Sequence, residues 1–347
     1  YERLTGVSRL IVGNMTDSLE LPTATSVRVV PVKLLDENRR LINEHMAVRA
    51  LGKSSYTHII AYAMIRALAE EPRLRGSFVE RNEQPHRRIS PVVNFGIAID
   101  VPGPKGSGRM LVVPKIAAAD THSFSGFHAA YEDVVARGRV GKLTSDDYAD
   151  VTVTLTNPGG FGTTMSVPRL MKGQGMILAV GSIGVPAEVR GMSQAVRAAS
   201  AIGPVMTVTS TYDHRVIQGA ESGLFLRRVE ELLSGADDFY DDIFRDLRIP
   251  WSPARPAEDK PASLDPQRDK LDQRSLIWQL VNAYRSRGCR LADLDPLGYK
   301  PDPIPSLDPA TYGFTVWDLD RSYSSGDLSE EPTITLRQIL TKLRRAY

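Results

Sequence analysis

Across Met206-Thr-Val-Thr-Ser-Thr-Tyr-Asp-His-Arg-Val-Ile-Gln-Gly-Ala-Glu-Ser-Gly223 the residue pattern changes period at Asp213-His214-Arg215. Residues 206–213 are rich in β-branched types and alternate, as a half-buried strand does. From 219 to 233 the apolar residues Leu224, Phe225, Val229, Leu232 and Leu233 recur at helical spacing. His214 therefore sits at a strand-to-helix junction, where an imidazole can exchange a proton near neutral pH. On the tripeptide alone, a histidine bonded within its own turn accounts for the pattern at least as well.

Upstream, Asp150-Val-Thr-Val-Thr-Leu-Thr-Asn-Pro-Gly-Gly-Phe-Gly-Thr-Thr-Met-Ser-Val-Pro168 is a second alternating strand. It runs into a Gly/Pro-rich turn and leaves Thr156 and Asn157 at the strand exit. Further strand-like runs at 26–32, 93–101, 110–116 and 176–180 alternate with helical ones, which predicts an α/β (α+β layered) domain over residues 1–250. The longest helical stretch, 57–70, carries Ile59, Ile60, Ala63, Met64, Ala67 and Leu68 as one stripe and stops at Pro72. That stripe reads as core, as do Phe124, Phe127 and Tyr131 in a helix at 123–139.

Together the two motifs resemble the catalytic core of the dihydrolipoyl acyltransferases of 2-oxoacid dehydrogenase complexes. The hallmark of that family is Asp-His-Arg followed by a glycine in the position of Gly219, and Leu111-Val-Val-Pro114 and Gly141-Lys-Leu-Thr144 also fall in its order. The resemblance implies a chloramphenicol acetyltransferase-like, coenzyme A-dependent acyltransferase sandwich. It implies His214 as the base that takes the proton of the coenzyme A thiol. It implies Thr156 as the hydroxyl donor to the oxyanion formed when that thiolate attacks an acyl-dihydrolipoyl thioester, with Asn157 in support. In the family the two groups come from different subunits of a homotrimer, so that coenzyme A and the lipoyl arm enter an interface channel from opposite ends.

The chain departs from the pattern at Gln218, where the family commonly has Asp. A primary amide neither accepts a proton near neutrality nor forms an ion pair, so Gln218 can hold loop geometry but cannot charge-stabilise the imidazole. A thiol of pKa about 8.5 facing a base near about 6.5 leaves a mismatch on the order of 3 kcal/mol if the proton moves fully before attack. Transfer concerted with attack lets histidine serve. Neither coenzyme A contacts nor metal ligands follow from the residues.

Between 251 and 273 four prolines stand among charged residues, a composition that predicts a linker. Glu258-Asp-Lys-Pro-Ala262 within it lacks the flanking strands of a lipoyl attachment site. Residues 274–347 follow as a mainly helical extension, with amphipathic helices at 275–288 and 335–347. Asn282-Ala-Tyr-Arg-Ser-Arg-Gly-Cys-Arg-Leu-Ala-Asp-Leu-Asp-Pro-Leu297 and Gly313-Phe-Thr-Val-Trp-Asp-Leu-Asp320 resemble the amino-terminal part of 2-oxoglutarate dehydrogenase, the thiamine-dependent decarboxylating component. An acyltransferase core joined directly to it resembles the actinobacterial fused 2-oxoglutarate dehydrogenases. That resemblance implies succinyl transfer between coenzyme A and dihydrolipoamide on a partner's lipoyl domain. An acetyl-specific transferase and a catalytically weak trimeric scaffold are the alternatives. The implied partners are a lipoyl-bearing acyltransferase of the pyruvate dehydrogenase type, a dihydrolipoyl dehydrogenase and an FHA-domain regulator. Thiamine diphosphate and magnesium would belong beyond Tyr347. Asp293, Asp295, Asp318 and Asp320, with no phosphate loop nearby, are expected to cap turns and pair with Arg290 and Arg321.

Lys plus Arg, 43, nearly balance Asp plus Glu, 41, and the net charge of +2 makes no case for nucleic acid or membrane binding. The single cysteine, Cys289, excludes an intrachain disulfide and a cysteine-rich metal site, which points to the cytoplasm. No apolar run approaches transmembrane length and Tyr1-Glu-Arg-Leu lacks a signal-peptide pattern; without an initiator Met, the chain is expected to be a piece of something longer. Gly52-Lys-Ser54 fails as a phosphate loop because Ala47 stands where glycine is required. Gly103, Gly106 and Gly108 read as a flexible hairpin. His45, His58, His86, His122 and His128 have no zinc-type spacing and read as surface or packing residues.

Overall fold

The β-branched alternation of residues 206–213 does become a strand, and it lies next to the edge of a six-stranded sheet. The computed structural model describes residues 1, 3, 7–102, 109–256, 266–291 and 303–346. In chain order the elements are α1 (Val7–Ser18), β1 (Thr23–Pro31), α2 (Lys33–Val48), α3 (Tyr56–Glu70), β2 (Gly76–Arg81), β3 (Gln84–Ile89), β4 (Phe95–Ile97), β5 (Ile99–Pro102), β6 (Arg109–Val112) and β7 (Lys115–Ile116). There follow α4 (Phe124–Arg139), β8 (Val153–Thr156), β9 (Met176–Val180), α5 (Gln194–Ala199), β10 (Val205–Asp213), α6 (Gly219–Leu233), α7 (Phe239–Asp246), α8 (Pro266–Arg287), β11 (Ser322–Ser324), β12 (Thr333–Thr335) and α9 (Leu336–Arg345). Contacts divide the chain into two compact units, one of residues 1–32, 54–184 and 205–236, the other of 33–53, 185–204 and 237–347.

In the first unit the sheet order is β1-β10-β9-β8-β4-β7. β8 runs parallel to both its neighbours and the remaining pairs are antiparallel. The continuous run Met176-Ile-Leu-Ala-Val180 is buried at every position, as a central strand covered on both faces requires. α6 packs on β1 and β10, where the hydroxyls of Ser222 and Ser210 satisfy each other in full burial at 3.0 Å. The stripe of α3 is core as expected, with Ile59, Ile60, Ala63, Met64 and Leu68 all at 0% exposure. The α/β layering expected over this region is therefore present, with mixed rather than purely parallel strands.

Three elements differ from the expectations. Runs 93–101 and 110–116 each break in two, because β5 and β6 pair with each other as a ribbon of their own. The hairpin β2–β3 had no signal: Gln84-Pro-His-Arg-Arg-Ile89 carries charge where alternation would mark a strand. Its turn residues Asn82 and Glu83 both have left-handed φ, 50° and 59°, as a tight two-residue hairpin demands. The glycines 103, 106 and 108 and the stretch 258–262 lie outside the described residues.

The second unit has its own core, in which Leu280 and Tyr284 of α8 meet Leu336, Ile339 and Leu340 of α9. α8 begins at Pro266, inside the stretch read as a linker; proline is tolerated in the first helical turn because its missing N–H has no intrahelical partner there. α2 belongs to the same unit and is joined to it by charge. Glu37, only 4% exposed, accepts from Arg337 and from Lys33, and both cations also reach Asp320. Asp320 is thereby committed to Lys33 and Arg337 rather than to Arg321, whereas Asp318 does pair with Arg321, at 2.6 Å, and caps Thr315. Asp293 and Asp295 lie outside the described residues.

Candidate active site

β10 delivers the tripeptide Asp213-His214-Arg215 in a locked form. Asp213, 2% exposed, takes a fork from Arg215 (Nε to Oδ1 2.9 Å, Nη2 to Oδ2 2.6 Å) and also accepts the Arg215 backbone N–H at 3.0 Å. The Arg215 guanidinium in turn lies 3.9 Å from the centroid of the Phe78 ring. Such a bidentate, stacked pair, with its carboxylate buried, is a rigid anchor. Between its two members, the His214 N–H donates to the Pro22 carbonyl at 2.9 Å. The imidazole itself is exposed, leans on Tyr212 at 5.7 Å between ring centroids, and makes no hydrogen bond among the described residues. The turn thus commits its acid and its arginine to each other and leaves the imidazole without a hydrogen bond among the described residues.

Thr156 ends β8. Its hydroxyl is half-buried and has no partner among the described residues. The loop that follows is clamped. Asn157 accepts the Gly159 N–H at 3.1 Å and donates from Nδ2 to the hydroxyl of Thr57 at 2.8 Å. A Cβ on Gly159 would lie 2.4 Å from the Gly181 backbone, and one on Gly181 would lie 1.9 Å from the Thr164 carbonyl. Only glycine at both positions allows the loop to close on the end of β9, where the Ser182 N–H donates to Thr163 at 2.7 Å. Farther along the same loop, Phe161, Met165 and Val167 are apolar and exposed.

The structure does not bring Thr156 and His214 together within one chain. Thr156 pairs with Ala179, and Ala179 with Thr209, so His214 lies beyond Thr156 along β10 by the span from 209 to 214. At about 3.4 Å per residue, with two strand spacings of about 4.8 Å to cross, the backbones are roughly 20 Å apart. Gln218 is exposed at the start of α6, where its backbone N–H donates to Glu221 at 2.7 Å; no bond joins its side chain to His214 among the described residues.

Sequence spacing missed one grouping. His58 of α3 meets His128 and Glu132 of α4, and one donor atom from each lies within 4.8 Å of the others. The trio could suggest a metal, since His128 and Glu132 share a helix face one turn apart. The His58 ring decides otherwise. Its Nδ1 accepts the Ser55 backbone N–H at 3.0 Å, which leaves the proton of the neutral ring on Nε2, the atom 3.2 Å from Glu132. A ligand nitrogen needs its lone pair there and its proton on the far side. Burial, then the nearby His128, pushes His58 down to about 3, so the ring is neutral throughout the physiological range.

One chain thus offers an exposed imidazole on a rigid strand end and, apart from it, a half-buried hydroxyl on a clamped loop, in a mixed sheet packed with helices. The chain belongs to the 2-oxoacid dehydrogenase acyltransferase family (catalytic domain), whose model matches residues 1–239. It is 47% identical to the 2-oxoglutarate dehydrogenase E1/E2 component of Corynebacterium glutamicum, over 99% of this chain and 28% of that protein. It is 46% identical to the multifunctional 2-oxoglutarate metabolism enzyme of Mycobacterium sp. strain JLS, over 99% of this chain and 27% of that one. The chain therefore spans little more than a quarter of the length of these relatives. Among solved structures, the truncated catalytic core of the 2-oxoacid dehydrogenase multienzyme complex from Thermoplasma acidophilum matches at a TM-score of 0.56 and 25% identity, covering 69% of this chain and 98% of that one. The dihydrolipoamide acetyltransferase of Azotobacter vinelandii, investigated for the role of a serine, a histidine and an asparagine in its catalytic mechanism, matches at 0.56 and 24%, covering 72% and 94%. No helix among the described residues is long and apolar enough to cross a membrane.

Proposed function

We propose that this chain transfers succinyl groups between dihydrolipoamide and coenzyme A as part of a 2-oxoglutarate dehydrogenase. The observation that carries the chemistry is the unpartnered imidazole of His214 on a strand end fixed by Asp213 and Arg215. The acyl class rests on similarity along the whole chain to proteins named for 2-oxoglutarate.

In this reading His214 accepts the proton of the coenzyme A thiol as the sulfur attacks the succinyl-dihydrolipoyl thioester carbon. Negative charge moves to the former carbonyl oxygen, where the Thr156 hydroxyl donates a hydrogen bond; such a donor contributes about 3 kcal/mol. Collapse forms succinyl-coenzyme A and breaks the bond to the dihydrolipoyl sulfur, which leaves as a thiol by taking from the imidazolium the proton that came from coenzyme A. The separation of His214 from Thr156 in one chain requires that each be met by the other residue of a second copy. The family's homotrimer supplies such pairs, and exposed Phe161, Met165 and Val167 give the Thr156 loop an apolar face to bury there. The lipoyl group would come from a partner acyltransferase, to be reoxidised by a dihydrolipoyl dehydrogenase. Thiamine diphosphate and magnesium would serve the decarboxylase portion of the longer protein.

Gln218 favours a second reading, a catalytically weak scaffold. One assay separates the two: purified protein with dihydrolipoamide and either succinyl- or acetyl-coenzyme A. Succinyl transfer preferred over acetyl supports the proposal, acetyl preference reassigns the substrate, and no transfer with either leaves the scaffold.

A further inference from the structure

We propose that Thr57 is a positioning residue for Thr156, acting through Asn157; this rests on the reading of Thr156 as the oxyanion donor. Thr57 is half-buried in the first turn of α3, a helix that otherwise contributes core. Its hydroxyl oxygen accepts from Asn157 Nδ2 at 2.8 Å, across 100 positions of sequence. The same Asn157 turns its Oδ1 onto the Gly159 N–H at 3.1 Å, so one amide fixes both the direction of the loop and its distance from α3. Asn157 directly follows Thr156 and has non-helical backbone angles, φ −125° and ψ 79°, where the strand ends. Releasing that side chain would free the backbone of Asn157, and with it the peptide bond that joins it to Thr156. With its oxygen and one N–H committed, Asn157 holds Thr156 rather than the substrate.

An oxyanion donor is effective only when preorganised, and a misplacement of about 1 Å costs on the order of a hundredfold in rate. Thr57→Val removes the acceptor with little change of volume. It is expected to lower kcat roughly ten- to a hundredfold with KM for both substrates unchanged, and with melting temperature and subunit assembly unchanged. Thr57→Ser, which keeps the hydroxyl, restores kcat. In a Thr156→Val background the Thr57→Val change costs nothing further, because the residue it positions is gone.

Wild-type kcat in Thr57→Val alongside a large loss in Thr156→Val overturns this inference and leaves the oxyanion reading standing. An undiminished Thr57→Val effect in the Thr156→Val background also overturns it, since the loss would then not run through Thr156. No loss in Thr156→Val itself overturns the reading on which it rests. Should Thr57→Val fail to assemble, Thr57→Ala carries the same comparison, with the same expected kcat loss and the same rescue by serine.

Discussion

Thr156 and His214 leave the same sheet at opposite ends. β10 runs antiparallel to β9 and β9 runs parallel to β8, so the strand that ends on His214 points the other way from the strand that ends on Thr156. A sheet is too stiff to fold these ends together, and neither the imidazole nor the hydroxyl makes a hydrogen bond among the described residues.

In the proposed mechanism His214 is the sole proton acceptor, because Asp213 is held by Arg215. His214→Ala should lower succinyl transfer by about a thousandfold or more, within the range general-base catalysis supplies, with the circular dichroism spectrum and the melting temperature unchanged. Steady-state kinetics on the variant checks it; turnover within tenfold of wild type would remove His214 from the mechanism.

Thr156→Val should cost about a hundredfold in kcat, since one oxyanion donor is worth about 3 kcal/mol, while Thr156→Ser should stay within about tenfold of wild type. A loss below threefold in the valine variant would mark Thr156 as a strand residue chosen for its branching.

Arg337 completes a cluster in which Glu37 is 4% and Lys33 12% exposed on their side chains. Arg337→Ala leaves Glu37 with Lys33 and a longer contact to Arg40 at 3.9 Å, and should destabilise the second unit by about 3 kcal/mol, the scale for breaking a buried pair on one side. Denaturant unfolding followed by Trp fluorescence measures this. Glu37→Gln paired with Arg337→Met should recover part of the loss, because no charge is then left unmatched.

His58 imposes a pH dependence on the first unit. Its folded pKa, about 3, lies below the unfolded value of 6.5, so the unfolded chain binds the extra proton and stability falls as pH drops from 6.5 toward 3. At about pH 5 the expected loss is on the order of 2 kcal/mol, and above 6.5 this residue contributes no slope. His58→Gln should flatten the melting temperature between pH 6.5 and about 4 relative to wild type. Equal slopes in the two proteins would assign the acid sensitivity to other groups.

Much of this was legible in local pattern. β9, β10, α3 and α6 follow from periodicity, and the junction at His214 from the change of period across it. The His58, His128 and Glu132 grouping, the Asn157–Thr57 bond and the Glu37–Arg337 pair were not legible, because each joins residues that only the fold makes neighbours. α2 escaped although Leu34, Leu35, Ile42 and Met46 are buried at helical spacing, because the buried polar residues Glu37 and Asn38 interrupt that stripe. The boundary near 250 was read from proline content, yet α2 groups by contact with residues 237–347, which no composition window could reveal.

In the proposed mechanism one active site needs His214 from one copy and Thr156 from another. Mixing His214→Ala with Thr156→Val subunits after reversible dissociation, and assaying succinyl transfer, tests this. Each variant alone is nearly inactive, but in a random one-to-one mixture about a quarter of the interfaces pair an intact His214 with an intact Thr156, so activity should return to roughly a quarter of wild type. Mixtures that remain inactive while mass spectrometry shows that the subunits have exchanged would rule out a site shared between copies.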